Sequence, residues 1–557
     1  MESEQDSSTS IKKQEKMAIP KVASKDIWKK GGRMISWLVG SNVLLFSCTL
    51  VTCVFNQHVD IWQTDLLIFM SVMLVLCILW MLFQMFFTWK YKHAILYKDC
   101  HAGPIWMRGG TVFFGIGTLV MDCFKIISAV GYLGCEPPVK IIQPIIQAIF
   151  VIVQTYFLWV SCKHCVQIYL NSTRCGLMLL MIINLAVWVI AVTEEARHHT
   201  VELERYLSPN GTEMSENISQ GRFENSDCEC TLLCNFVPSE IYYLYPFNIE
   251  YNLFAATLIY IMWKNVARKI DDNASHSHGK GPAVRKHVPF LGLISGLSVL
   301  AAGLVMFIMY EIGRENSFND LLSLTSFYFF HVISLVIMSL ANLVGIIIFH
   351  LDKRHMDNEK NPTRTLDMVL LLGTTAGQYA ISYYSIVAMV ATNPYSLLNC
   401  LTLIYSLLMI VQHSLQNVLI IEGLHRLPPN HSINYLDCLD TSSCEKMKDV
   451  SFVSNIPPNA SHLPVHQPSR RTTFTDELKS HLKIRKTMKD IYMFLFLSNV
   501  IFWIMPAFGA RIRFDNDLEV EFYGFTIWAI ITNICLPFGI FYRMHSAATL
   551  LELYNKQ

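Results

Sequence analysis

Hydrophobic residues in this chain come in blocks, each about as long as a bilayer is thick, with polar stretches between them. At 1.5 Å of rise per residue, about 20 apolar residues in a helix cross a hydrocarbon core of about 30 Å. Twelve blocks reach that length. Six lie near 34–55, 66–89, 106–134, 139–161, 177–193 and 245–264, and six near 289–310, 325–349, 367–391, 396–422, 490–508 and 523–543. The pattern predicts an all-α polytopic membrane protein with twelve transmembrane helices.

The polar stretches orient these spans. "KYKHAILYK", "VARKI" with "GKGPAVRKH", "HLDKRHMDNEK" and "KSHLKIRKTMK" follow even-numbered spans. The segments after odd-numbered spans, such as "NQHVDIWQTD", "EIGRENSFND" and "ATNPYS", hold few Lys or Arg. Basic loops face the cytosol, so both termini are predicted there. Residues 1–30 are polar and mixed in charge, with no apolar signal-peptide core, and read as a cytosolic segment. Residues 31–270 would form one six-helix domain, 271–288 a cytosolic linker, and 289–557 a second six-helix domain.

Loop 194–244 then faces outside and carries the sequons at Asn210 and Asn217, the expected glycosylation sites. It also holds "CECTLLC" (Cys228, Cys230, Cys234), without a histidine at zinc-site spacing, so a disulfide is the favoured reading. Loop 426–489 is long, polar and rich in Pro and Ser, and reads as a partly disordered cytosolic linker. The histidines near residue 278 suit either a metal or a solvated loop, the second being favoured.

The two halves of the chain echo one another. "GTLVMD" ending at Asp122 matches "GTTAGQ" ending at Gln378, and "IVQ" ends at Gln154 and again at Gln412. "NLAVW" from Asn184 matches "NVIFW" from Asn499, and "YPFNIE" matches "YGFTIW". These matches fall in order in corresponding spans, which predicts two pseudosymmetric six-helix domains related by an axis along the membrane normal. They pair Asp122 with Gln378, Gln154 with Gln412, Asn184 with Asn499, and Glu250 with Trp528.

Composition narrows the chemistry. Of 557 residues, 52% are hydrophobic and 16% charged, and the net charge is +1. That balance fits a membrane protein and gives no sign of a nucleic-acid partner. No Walker loop, G-x-S-x-G, H-E-x-x-H or dinucleotide fingerprint stands in a fitting context, so no enzyme and no cofactor is expected.

The polar residues within the apolar blocks are the candidate sites, each with a packing and a functional reading. Asp122 and Lys125 share a helical face, as a neutralising pair or as a proton-accessible carboxylate tuned by the lysine. Gln154, Asn184, Gln378, Gln412 and Asn499 either hydrogen-bond neighbouring helices or narrow a polar path that excludes hydrated metal ions. His331 and His413 titrate near neutrality when unperturbed, yet a lone helical histidine is more often a packing residue. His545 is expected at the cytosolic interface. Glu250 stands one turn inside the outer boundary, either complementing a helix N-terminus or exchanging protons with external water.

Three strings resemble the otopetrin family of proton channels: "GGTVFFGIGTLVMDCFKI", "YPFNIEYNLFAATLIYIMWKNV" and "FYGFTIWAIITNICLPFGIFYRMHSAATLLELY". The resemblance implies a plasma-membrane homodimer of twelve-span subunits in the lipid bilayer, with sterol as a candidate lipid. It implies selective proton conduction down the gradient, a response to extracellular acid, and inhibition by extracellular zinc. The family's paths carry Gln-Asp/Asn-Tyr constrictions, for which Gln154 with Asn184 and Gln412 with Asn499 look like the amide members, the tyrosines staying unplaced. Glu250, in "FNIEY", looks like a family glutamate important for permeation. The alternatives from the residues alone are a proton-coupled secondary transporter of a small solute and a non-transporting receptor or scaffold.

Overall fold

The computed structural model describes residues 32–54, 63–91, 95–98, 103, 105–131, 137–167, 169–207, 241, 243–268, 289–315, 320–351, 362–392, 396–426, 469–510 and 517–556. The N-terminal segment, the 271–288 linker with its histidines, Asn210, Asn217 and the "CECTLLC" cysteines lie outside the described residues.

The chain divides into two compact units, Met1–Ser275 and His276–Gln557. The first contains α1 (Gly32–Val54), α2 (Gln63–Lys90), α3 (Ile105–Gly131), α4 (Val139–Ser161), α5 (Leu170–Leu207) and α6 (Tyr245–Asn265). A short antiparallel ribbon of β1 (Ile95–Lys98) and β2 (His164–Val166) links the α2–α3 and α4–α5 connections. The second unit contains α7 (Phe290–Glu315), α8 (Asp320–Leu351), α9 (Pro362–Ala391), α10 (Leu397–Leu424) and α11 (Ser469–Ala507). It ends with the short α12 (Asp517–Tyr523) and α13 (Phe525–Lys556).

Among the described residues ten helices are long and apolar enough to cross a membrane, and the fold is that of an all-α polytopic membrane protein. The two expected spans outside that set are α6 and α9. On α6, 16 of 21 residues are buried, among them Asn248, Glu250 and Asn252. A helix surrounded by protein does not meet lipid, so its polar side chains find partners and its hydropathy falls. On α9 only one face is polar: Asp367, Thr374, Thr375, Gln378, Ser382 and Ser385 are buried there, while Val369, Leu372, Val387 and Val390 are exposed. Like α9, α2 and α8 present exposed apolar side chains along their outer faces.

Two expected loops begin or end as helix. Residues 194–207 continue α5, and residues 469–489 belong to α11. Both carry charged residues that lower the apolar signal without lowering helix propensity.

Packing recurs between the units. In the first, α5 packs on α6, α3 on both α4 and α6, and α2 on α4. In the second, α11 packs on α13, α9 on both α10 and α13, and α8 on α10. The same order of neighbours arises because each long helix offers the same face to the same relative partner.

Candidate functional site: two buried amide–tyrosine clusters

In the first unit, α4, α5 and α6 bring Gln154, Asn184 and Tyr251 together, none of them exposed. Gln154 Nε2 donates to Asn184 Oδ1 at 2.8 Å, and Asn184 Nδ2 donates back to Gln154 Oε1 at 2.9 Å. Asn184 Nδ2 is also anchored on the Leu180 carbonyl at 2.7 Å. Gln154 Nε2 reaches the Tyr251 hydroxyl at 3.3 Å, and that hydroxyl donates to the Val151 carbonyl at 3.1 Å. Thr155 Oγ1 lies 3.0 Å from the same hydroxyl. Each such bond adds about 1 kcal/mol net, and breaking one leaves a buried amide unsatisfied at a cost of about 1–3 kcal/mol.

The second unit repeats the cluster with a different glutamine. Gln416 Nε2 donates to Asn499 Oδ1 at 3.2 Å, Asn499 Nδ2 returns to Gln416 Oε1 at 3.0 Å, and Gln416 Nε2 reaches the Tyr542 hydroxyl at 3.3 Å. The Tyr542 hydroxyl donates to Asn417 Oδ1 at 2.9 Å and to the His413 carbonyl at 3.4 Å. Gln412, expected as the partner of Asn499, instead donates to Gln416 Oε1 at 2.8 Å from one turn away. The "IVQ" match is therefore a register error of one helical turn, since α-helical residues four apart share a face.

The tyrosines correct a second pairing. Tyr251 follows "PFNIE" and Tyr542 follows "PFGIF", so Pro246-Phe247-x-Ile249-x-Tyr251 aligns with Pro537-Phe538-x-Ile540-x-Tyr542. The counterpart of Glu250 is Phe541, and Trp528 lies almost four turns earlier on α13. A third correction concerns α3 and α9. A Cβ on Gly117 would run into the Phe247 ring, and one on Gly377 would lie 2.7 Å from Cβ of Phe538, the counterpart of Phe247. Matching Gly117 to Gly377 pairs Asp122 with Ser382, Lys125 with Ser385, and Gln378 with Thr118.

The remaining candidates fall around these clusters. Asp122 is fully buried, and neither carboxylate oxygen accepts a hydrogen bond among the described residues. It lies within electrostatic reach of Tyr251 and of Lys125. The Lys125 ammonium is directed elsewhere, 3.5 Å from Glu194 Oε2 on α5 and over the Tyr245 ring at 5.1 Å. Tyr245 donates to the same Glu194 oxygen at 3.0 Å. The expected Asp122–Lys125 pair is thus loosened by a carboxylate that the sequence reading placed in a loop. Glu250 is buried on α6.

Gln378 Nε2 donates to Ser382 Oγ at 3.3 Å. The His413 ring stacks on Tyr542 at 4.4 Å, with Nδ1 2.7 Å from the Met409 carbonyl. His331 Nδ1 donates to the Phe327 carbonyl at 2.9 Å, and its ring meets Tyr405 and Phe502 edge-on. His545 is buried: Nε2 lies 3.3 Å from the Asp367 carbonyl and the ring stacks on Phe541. Among the described residues no group of three or more His, Cys, Asp or Glu could hold a metal ion.

Sequence reasoning missed Tyr251, Tyr542, Gln416, Glu194 and Arg543. The recurring Pro-Phe-x-Ile-x-Tyr and the two glutamines one turn apart in "QHSLQ" were the available signals. Nothing in the pattern marks Glu194 before α5 is known to continue past it.

Known proteins place these clusters in context. The otopetrin family model matches residues 106–229, 207–434 and 465–544. Proton channel OTOP2 of Homo sapiens is 43% identical over 545 residues, covering 96% of this chain and 97% of that relative. Proton channel OTOP3 of Homo sapiens is 37% identical over 530 residues, covering 94% and 86%. Proton channel OTOP1 of Danio rerio is 31% identical over 555 residues, covering 95% and 92%.

Proposed function

The chain belongs to the otopetrin family, and from that premise we propose that it is a proton-selective channel, opened by extracellular acid, whose main route runs through the first unit. The observation that carries the reading is the closed, fully buried Gln154–Asn184–Tyr251 cluster with Asp122 beside it. A hydrated metal ion finds no passage through three interlocked side chains, whereas a proton needs only hydrogen-bonded oxygens that exchange donor and acceptor roles. The Tyr251 and Thr155 hydroxyls, 3.0 Å apart, can make that exchange; the amides hold them in line and carry no proton charge.

On this reading protons arrive from outside past Glu194, Lys125 and Tyr245. They gather at Asp122 and Glu250, whose negative charge favours them over anions. Glu194 and Tyr245 hold the Lys125 ammonium at this entrance, away from Asp122. We place α6 and α9 as spans too, giving twelve in two pseudosymmetric six-helix domains of the parallel-duplication type. Both termini are in the cytosol, the protein is in the plasma membrane as a homodimer, and Asn210 and Asn217 are glycosylated. Extracellular zinc is the proposed inhibitor and sterol a candidate lipid partner.

Whole-cell recording tests the function. Under an inward acid step the reversal potential should follow the proton gradient and ignore replacement of sodium, potassium and chloride. A reversal potential indifferent to the proton gradient rejects the reading.

A further inference from the structure

Arg543 sits inside the second cluster and has no counterpart in the first. Its side chain is buried, with Nη1 3.1 Å from Asn499 Oδ1 and Nη2 3.4 Å from the Met409 sulfur. The guanidinium lies over the Phe502 ring at 5.0 Å and the Tyr542 ring at 5.9 Å. None of the ion pairs among the described residues involves it. A guanidinium cannot shed its charge as a lysine or histidine can, so this is a standing cation. It shares an acceptor oxygen, Asn499 Oδ1, with Gln416.

The aligned position in the first unit is Asn252, whose Nδ2 turns back to the Asn248 carbonyl at 2.7 Å and to Asn248 Oδ1 at 2.8 Å. The other charged positions diverge in the same sense. Asp122 becomes Ser382, Glu250 becomes Phe541, Val151 becomes His413 and Phe254 becomes His545. The second cluster therefore keeps the hydrogen-bonding frame of the first and inverts its electrostatics.

We propose that Arg543 is a specificity-determining residue, a fixed electrostatic plug that bars protons from the second unit and confines conduction to the first. The proposal rests on the proton-channel reading above. A positive charge 5.9 Å from the Tyr542 ring centre, at an effective dielectric of about 20, lowers proton occupancy there on the order of 100-fold. Arg side chains and helix dipoles exclude protons from water-conducting pores by the same means.

The test silences the first route with Asp122→Asn and Glu250→Gln in the full-length protein, then adds Arg543→Asn, which installs the residue of the first unit. Proton current under an acid step is normalised to surface-biotinylated protein. The silenced protein should fall to leak, and adding Arg543→Asn should restore current to about a tenth of wild type or more, as removal of a roughly 100-fold barrier permits. Arg543→Lys, which keeps the charge, should restore none.

Because Arg543→Asn removes packing on Phe502 as well as charge, a second variant, Met409→Asp, leaves Arg543 in place and neutralises it from 3.4 Å away. It should restore current in the same background. If neither neutralising variant that reaches the surface restores current, or if Arg543→Lys restores as much as Arg543→Asn, the plug is overturned. Wild type without proton current rejects the channel reading, and the plug with it.

Discussion

Around Tyr251 the nearby ionisable positions hold carboxylates, Asp122 and Glu250, while around Tyr542 the same positions hold Ser382 and Phe541. Arg543 then stands where the first unit has Asn252. Yet the reciprocal amide pair and its tyrosine are built alike in both, with donor–acceptor distances from 2.8 to 3.3 Å. The frame and the field around it have diverged separately. A hydrogen-bonded triad joining three helices holds a six-helix unit together whatever that unit conducts, so it persists. Charges in low dielectric change the energy of a passing ion far more than they change packing, so they can differ.

Four tests would break or sharpen this contrast. The largest effect is expected from Asn499→Leu, which leaves the Gln416 amide and the Arg543 guanidinium without their shared acceptor. Its cost should be about 3 kcal/mol or more, against about 2 kcal/mol for Asn184→Leu, where only a neutral amide is orphaned. Thermal unfolding of detergent-purified protein checks the order; equal losses would mean that Arg543 draws nothing from Asn499.

Next comes Asp122→Asn, which removes a buried carboxylate from the first unit. Proton current should fall about tenfold or more, while Ser382→Asn in the second unit changes it by less than about twofold. Recording with matched surface levels decides it, and equal sensitivity would place both units in the route.

Smaller still is the pair Tyr251→Phe and Tyr542→Phe. Each deletes one buried hydroxyl and should destabilise by about 1 kcal/mol. The stability losses should match, while only Tyr251→Phe lowers the current. A melting curve beside a flux assay separates frame from field in one comparison.

The smallest effect is expected from Glu194→Gln, at a site about a fifth exposed. The loss of stability should be below about 1 kcal/mol, as for other part-exposed ion pairs. With the carboxylate gone, the Lys125 ammonium loses its partner on α5, and proton current should change by less than about threefold at matched surface level. A loss of current as large as that of Asp122→Asn would place Glu194 in the route itself.

Much of the fold was legible in the residues. Blocks of apolar sequence placed a helix at each expected position, because lipid admits only helices whose backbone bonds are internal. The one-turn errors in the repeat have a physical origin. A helix presents nearly the same face at residue i and i+4, so "IVQ" at Gln412 looked as good as Gln416 until the neighbours on α11 and α13 were in place. The tyrosines were hidden because an aromatic in an apolar run gives no periodic signal, and Glu194 because α5 outruns its apolar block.

The sequence by itself determined that this chain is a helical membrane protein in which short motifs recur in order. It also determined which few polar residues lie at depth, since the cost of placing them in lipid makes them conspicuous. Only the tertiary structure decided which of those residues meet. It exchanged Gln412 for Gln416, gave Lys125 to Glu194 in place of Asp122, and set Arg543 on the second amide pair. Hydropathy is a property of single residues, whereas a hydrogen bond between helices depends on rotation and register that only packing fixes.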